Sequence, residues 1–167
     1  IAQHRGSLFG AIGKTPSTQK QFESELFNRL LELDNSKAVF VEGESRKIGK
    51  VSIPNDFFKQ ILTGSVILLE ATVGTRVNRI IDEYIHNQAN SAPEIKIIIG
   101  KLKTELGKKA VDDLQQKIDN CEYSACFQYL LEQYYDKKYI HTINQLNVIH
   151  TIDAEDLDPA VFKINHL

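Results

Sequence analysis

Val66-Ile67-Leu68-Leu69-Glu70-Ala71-Thr72 places an unbroken apolar run, an acid and a helix-capping threonine in one short stretch. A continuous apolar run of this length is the pattern of a strand covered on both faces. Thr72 stands just ahead of Val73, Val77, Ile80, Ile81 and Tyr84, which recur at helical spacing. Working backward, Ala38-Val39-Phe40-Val41 repeats the strand pattern and again ends in an acid, Glu42. Between the two runs, residues 43–53 read as a charged loop containing Gly43 and Gly49, and Pro54 is set to open a short helix through Leu62, with Gly64 to close it. Further back, Thr18 and Gln21 form a capping box ahead of Phe22, Leu26, Leu30 and Leu33, with Phe27 and Leu31 widening the stripe. Residues 1–16, with Gly6, Gly10, Gly13 and Pro16, read as an extended glycine-rich loop. Buried strands alternating with amphipathic helices predict an α/β fold around a parallel sheet.

The character changes at Ser91. Pro93 is placed to open a helix through Leu106, which Gly107 stops, and two more helices are expected over about 109–119 and 122–135. Val148 to Ile152 is expected as a last strand, and Asp156 or Asp158 caps a final short helix carrying Pro159. The expected organisation is an α/β core over 1–90, a helical annex or lid over 91–140, and a return to the core over 141–167.

Composition narrows the function classes. The chain has 167 residues with 20 Lys and Arg against 22 Asp and Glu. That balance argues against a dedicated basic nucleic-acid binder, although a local basic patch is compatible with it. No apolar run reaches the roughly 18 residues needed to cross a bilayer, and a cytoplasmic protein is expected. The chain starts at Ile1 and holds no Met, which reads as a piece of a longer protein. Cys121 and Cys126 are expected on a helix as partly buried thiols, with no second pair to complete a zinc site. His86, His141, His150 and His166 show no metal spacing.

Ligands of open parallel sheets bind beyond the carboxyl ends of the strands, which draws attention to Glu42 and Glu70. An apolar strand ending in a carboxylate has the form of a Walker B element, which holds magnesium or its water. Glu44, Ser45 and Arg46 follow Glu42 closely. His4-Arg5-Gly6-Ser7 offers a guanidinium fork and a close backbone approach to an anion. Arg76 and Arg79, three positions apart on one expected helix, are placed to reach one anion together. Gly10-Ala-Ile-Gly-Lys14-Thr15 is no P-loop, because Leu8 occupies the place of its first glycine. Tyr134-Tyr135-Asp136-Lys137-Lys138-Tyr139 interleaves aromatic and basic groups, either to stack and clamp a nucleotide or to pack a helix end.

Taken in order, His4-Arg-Gly-Ser-Leu-Phe-Gly10, Pro16-Ser-Thr-Gln-Lys-Gln-Phe-Glu23 and Val41-Glu-Gly-Glu-Ser-Arg-Lys-Ile-Gly49, with Ile53-Pro54 behind them, resemble the bacterial tRNA 2-selenouridine synthases. The likeness is dense over residues 1–85 and thin beyond. Tyr134-Tyr135-Asp136 is similar to a further family segment, but Lys137-Lys138 replace its Pro-Met. The resemblance implies a sheet of P-loop NTPase type, N-terminally truncated, with the helical annex. It also implies an upstream rhodanese domain and Walker A loop, neither of which occurs here, so that this chain alone would be inactive. The implied reaction replaces sulfur by selenium in wobble 2-thiouridine of tRNA through a geranylated intermediate, with selenophosphate and geranyl diphosphate as co-substrates and Mg2+ or a nucleotide as candidate cofactor. Carried over, Glu42, Glu44 and Arg46 are the expected catalytic residues. His4, Arg5, Gly6, Ser7, Gly10, Ser45, Gly49, Arg76 and Arg79 are the expected substrate and phosphate ligands. The alternatives are a nucleotide kinase-like P-loop phosphotransferase and a non-catalytic RNA-binding module.

Overall fold

The computed structural model describes residues 1–4, 7–43, 45–88, 90–143 and 146–167. The chain divides into two compact units, 1–64 and 65–167. The division falls ahead of the boundary expected at 90, because the strand and helix that follow Gly64 pair and pack with elements behind them.

In the first unit, α1 (Gln19–Leu31) starts at the capping box: Thr18 Oγ1 accepts from the Gln21 amide, and Gln21 Oε1 accepts from the Thr18 amide at 3.0 Å. The expected charged loop over 43–53 is instead a hairpin. β1 (Lys47–Ile48) and β2 (Val51–Ser52) pair antiparallel, Ile48 facing Val51. The turn between them needs a positive φ at its first central residue, which Gly49 supplies at 58°. The Gln19 side chain then imitates a neighbouring strand: the Ser52 amide donates to Gln19 Oε1 at 2.8 Å and Gln19 Nε2 donates to the Ser52 carbonyl at 2.9 Å. α2 (Asn55–Thr63) runs from Pro54 to Gly64, as the proline and glycine predict. Phe22, Leu26, Val51 and Ile53 form the buried core, with Ile48, Phe57, Phe58 and Ile61 packed against it.

Ala38–Val41 is not a strand. Val39, Phe40 and Val41 are about half exposed and pair with no other strand among the described residues. An apolar run becomes a strand only where a neighbour takes its amides and carbonyls, and here the side chains line a cavity instead.

In the second unit, β3 (Val66–Glu70) pairs in parallel with β4 (Val148–Asp153), Glu70 opposite Asp153. Among the described residues the sheet has two strands, so β3 is only partly covered rather than buried on both faces. Among the described residues, the regular elements between the two strands are all helices. Thr72 caps α3 (Val73–Ile81) by accepting from the Thr75 amide, and α3 widens into a π-helical turn at Asp82–His86. The helix expected over 93–106 is broken into α4 (Ala92–Gly100) and α5 (Lys103–Leu106), and Gly107 at φ 81° turns the chain into α6 (Lys108–Asp119). α7 (Tyr123–Leu130) does not end near 135. It passes through a π-helical turn at Leu131–Tyr135 into α8 (Asp136–Ile143). α9 (Leu157–Ile164) is capped by Asp156, which accepts from the Asp158 amide at 3.1 Å.

α4 packs on α6, and α3 on α7. Ile95, Ile99, Val111, Leu114, Cys126 and Phe127 are all fully buried, so the helices carry a core of their own. Leu114→Ala removes methyl groups at a point with no solvent to refill the space. It is expected to cost about 3 kcal/mol, read as a lower urea midpoint with an unchanged slope.

Candidate functional site

The first unit contains a cavity of about 380 Å³, mostly apolar in lining. α1 contributes Phe22, Leu26, Leu30 and Leu33; the irregular run contributes Val39, Phe40 and Val41; the hairpin and α2 contribute Ile48, Ile53, Phe57 and Ile61. Its polar lining is His4, Arg29 and Glu42. Residues from three separate sequence motifs therefore meet at one hollow. Glu42 is exposed, so it belongs to the open side. It does not end a strand, as the sequence led us to expect, because Ala38–Val41 is not one.

His4 and Gly49 are the tightest link between the motifs. A β-carbon built on Gly49 would lie 2.5 Å from Cδ2 of the His4 ring. The ring thus occupies the space that a side chain at 49 would take. His4 Nδ1 is buried without a hydrogen-bond partner among the described residues, an arrangement that costs free energy unless a ligand or water serves it. Arg46 extends the hairpin: its carbonyl accepts the Ile53 amide at 2.8 Å, and its Nε donates to the Ile53 carbonyl at 3.1 Å. Ser45 Oγ donates to the Lys47 carbonyl at 2.7 Å, a local bond that shapes the loop. Arg5, Gly6 and Glu44 lie outside the described residues.

Ser7 and Gly10 belong to a chain of tight turns. The Gly10 amide donates to the Ser7 carbonyl at 3.0 Å, the Ile12 amide to Phe9 at 2.9 Å, and the Lys14 amide to Ala11 at 3.1 Å. Phe9 and Ile12 are buried. The segment expected to be extended is therefore folded onto itself.

In the second unit, Arg76 and Arg79 do not share one acceptor. Arg76 donates both terminal nitrogens to Asp136, at 2.7 and 3.2 Å. Arg79 donates to the carbonyls of Ala154 and Glu155, the latter at 3.1 Å. Spacing on one helix face is thus correct, but protein acceptors on two different elements draw the guanidiniums apart. Glu155 itself sits across the amino end of α3. Its carboxylate accepts from the Thr72 amide and from the Thr75 hydroxyl. The Thr75 hydroxyl bond first, and the Thr72 amide after it, hold the carboxyl below its usual range. An internal carboxylate thus occupies the place at the end of β3 where a parallel sheet commonly receives an anion.

Sequence reasoning missed Asp136 and Glu155 because their partners lie 60 and 80 or more residues away. It also placed both cysteines alike. Cys121, at φ 59°, precedes α7 and is exposed, while Cys126 is fully buried. Burial pushes the Cys126 thiol up to about 12, so it is a packing group and not a nucleophile. Among the described residues no cluster of three or more His, Cys, Asp or Glu is arranged to hold a metal ion.

Two outcomes follow from this geometry. Gly49→Ala introduces strain at a positive φ and collides with the His4 ring. It should cost about 1–3 kcal/mol in chemical denaturation and shift the His4 ring resonances in NMR spectra. Glu155 has a depressed folded-state pKa, so its contribution is present above the unfolded value and is lost as pH falls through the folded value. Thermal melts taken from pH 7 down past about 4.5 should show a steeper loss for the wild type than for Glu155→Gln.

The model of the tRNA 2-selenouridine synthase AAA domain matches residues 1–158. A protein named tRNA 2-selenouridine synthase from Shewanella piezotolerans is 31% identical over 172 aligned positions, covering 87% of this chain and 47% of the relative. One of the same name from Shewanella loihica is 30% identical, covering 87% and 46%. A third, from Nitrosomonas europaea, is 39% identical over 88 residues, covering 51% and 23%. The chain spans about half the length of the Shewanella relatives. No solved structure matches it. With nearly its whole length matched by one family model, this chain belongs to the tRNA 2-selenouridine synthase AAA domain family.

Proposed function

We propose that the chain is the P-loop NTPase-type part of a cytoplasmic transferase that replaces sulfur by selenium in wobble 2-thiouridine of tRNA, by way of a geranylated thiouridine. The observation that carries the reading is the apolar cavity beside His4 and Glu42. Selenophosphate and a tRNA backbone are wholly polar and give no reason for such a hollow. A prenyl diphosphate does: its chain needs apolar walls and its head group needs polar ones at the open side. The chemistry asks for such a donor, because a thiocarbonyl sulfur leaves readily only after it has been alkylated.

In this reading Leu26, Leu30, Phe40 and Phe57 hold the geranyl chain. His4, which lines the cavity, and the backbone around Gly49 meet the diphosphate. Arg46 supplies positive charge to the same head group or to the incoming selenophosphate, and Arg5, Gly6, Ser7, Gly10 and Ser45 are assigned to substrate and phosphate binding with it. Glu42, at the open side of the cavity, and Glu44 are assigned as the catalytic carboxylates, which hold a proton or a divalent cation. Arg76 and Arg79 hold Asp136 and the Glu155 loop within their own unit. An upstream rhodanese domain is the partner that would complete the enzyme.

The test is calorimetric titration of the chain with geranyl diphosphate and, separately, with inorganic diphosphate. The prenylated ligand is expected to bind at least tenfold more tightly. Leu30→Trp, which fills the cavity, should remove that advantage while leaving inorganic diphosphate binding unchanged. Equal affinities for the two ligands in the wild type would show that the hollow holds no chain.

A further inference from the structure

The aromatic and basic run over 134–139 takes no part in the cavity. Its placement in the second unit is distinctive. The π-helical turn at Leu131–Tyr135 delivers it, and such turns recur at functional sites. Tyr135 and Tyr139 stack at 5.9 Å with ring planes 12° apart, and Tyr134 meets Tyr135 edge-on at 5.5 Å. Lys138 Nζ lies 5.4 Å from the Tyr134 ring centre. These are not side chains closing a core: Tyr139 is 37% exposed and the adjoining Ile140 56%.

Charge sorts the face further. Asp136 would oppose a polyanion, but the bidentate bond from Arg76 neutralises it and ties the start of α8 to α3. Glu132, one turn earlier, accepts from the neutral Gln128 side chain at 2.9 Å and keeps its charge on that preceding turn. Lys137 donates to the uncharged Gln133 at 2.7 Å, so its charge is not compensated. In a chain with two more acidic than basic residues, Lys138 set against Tyr134 beside the stacked Tyr135 and Tyr139 is a local exception.

We propose that the Tyr134–Tyr139 face is a stacking platform for unpaired bases of RNA. Lys138, held beside the Tyr134 ring, meets a phosphate, and Tyr139 offers its ring to a base. Unpaired loops present faces that rings can stack on, and stacking accepts any base because every base has a π-face. The proposal rests on the tRNA reading and deepens it by naming where the substrate is held. Arg76 and Asp136 act here as positioning residues, since neither touches the RNA.

The test is binding of unmodified bulk tRNA to the 167-residue chain across a salt series. Tyr139→Ala should weaken binding about tenfold, a value within the range for one stacked base, and Tyr139→Phe should restore it. Lys138→Gln should flatten the slope of log K against log salt by about 0.7, the value of one single-strand phosphate contact. Ultraviolet cross-linking followed by peptide mapping should place an adduct within 134–139. Wild-type binding that none of these variants alters, with adducts only elsewhere, would overturn the platform and leave the face to a protein partner. A wild-type chain that binds no tRNA at any salt concentration would instead overturn the tRNA reading itself, and the platform with it.

Discussion

The parallel pairing of Val66–Glu70 with Val148–Asp153 is the constraint on which the second unit depends. Two parallel strands cannot be joined by a tight turn, so the chain between them must leave the sheet and come back. It does so as a run of helices with a buried core of their own around Ile95, Leu114 and Phe127. The pairing also decides which polar groups meet. With Glu70 opposite Asp153, the residues just beyond both strands emerge side by side. That is how Glu155 comes to serve Thr72 and Thr75, and how Arg79 comes to hold the Ala154 and Glu155 carbonyls. A helix start, a strand end and a loop are locked by one register.

The first unit solves a different problem with side chains. Its hairpin is short and has no third strand among the described residues, so Gln19 supplies the missing neighbour to Ser52 through its amide group. The apolar run before the hairpin finds no such neighbour. Its residues face the hollow that α1 and α2 leave open, and so the same chemistry that suggests a strand produces a lining.

Local signals in the sequence were legible wherever the physics is local. The Thr18 and Thr72 caps, the Pro54 start and the Asp156 cap all depend on groups within a few residues, and each is found where the pattern put it. The sheet was legible in kind but not in extent. An apolar run states a preference for burial and does not name its partner, which is why Val66–Glu70 is a strand and Ala38–Val41 is not. The hairpin was hidden because strands of two residues carry no periodicity. Of the site, neither the approach of His4 to Gly49 nor the engagement of Arg76 by Asp136 could be read from motif order or helix spacing. A pair of arginines on one face says nothing about acceptors that arrive from sixty residues away.

The wide turn at Leu131–Tyr135 carries a consequence for how this region can change over time. An α-helix advances about 100° per residue, so the extra residue held in that turn sets the rotational phase of everything after it. Asp136 is aimed at α3, and the lysines that follow lie on the outer surface, only in that phase. Losing one residue here would swing the carboxylate away from its guanidinium and carry the tyrosine row to another side in the same step. Length in this segment should therefore vary among relatives far less than side-chain identity, with single deletions tolerated only alongside a matching change on α3.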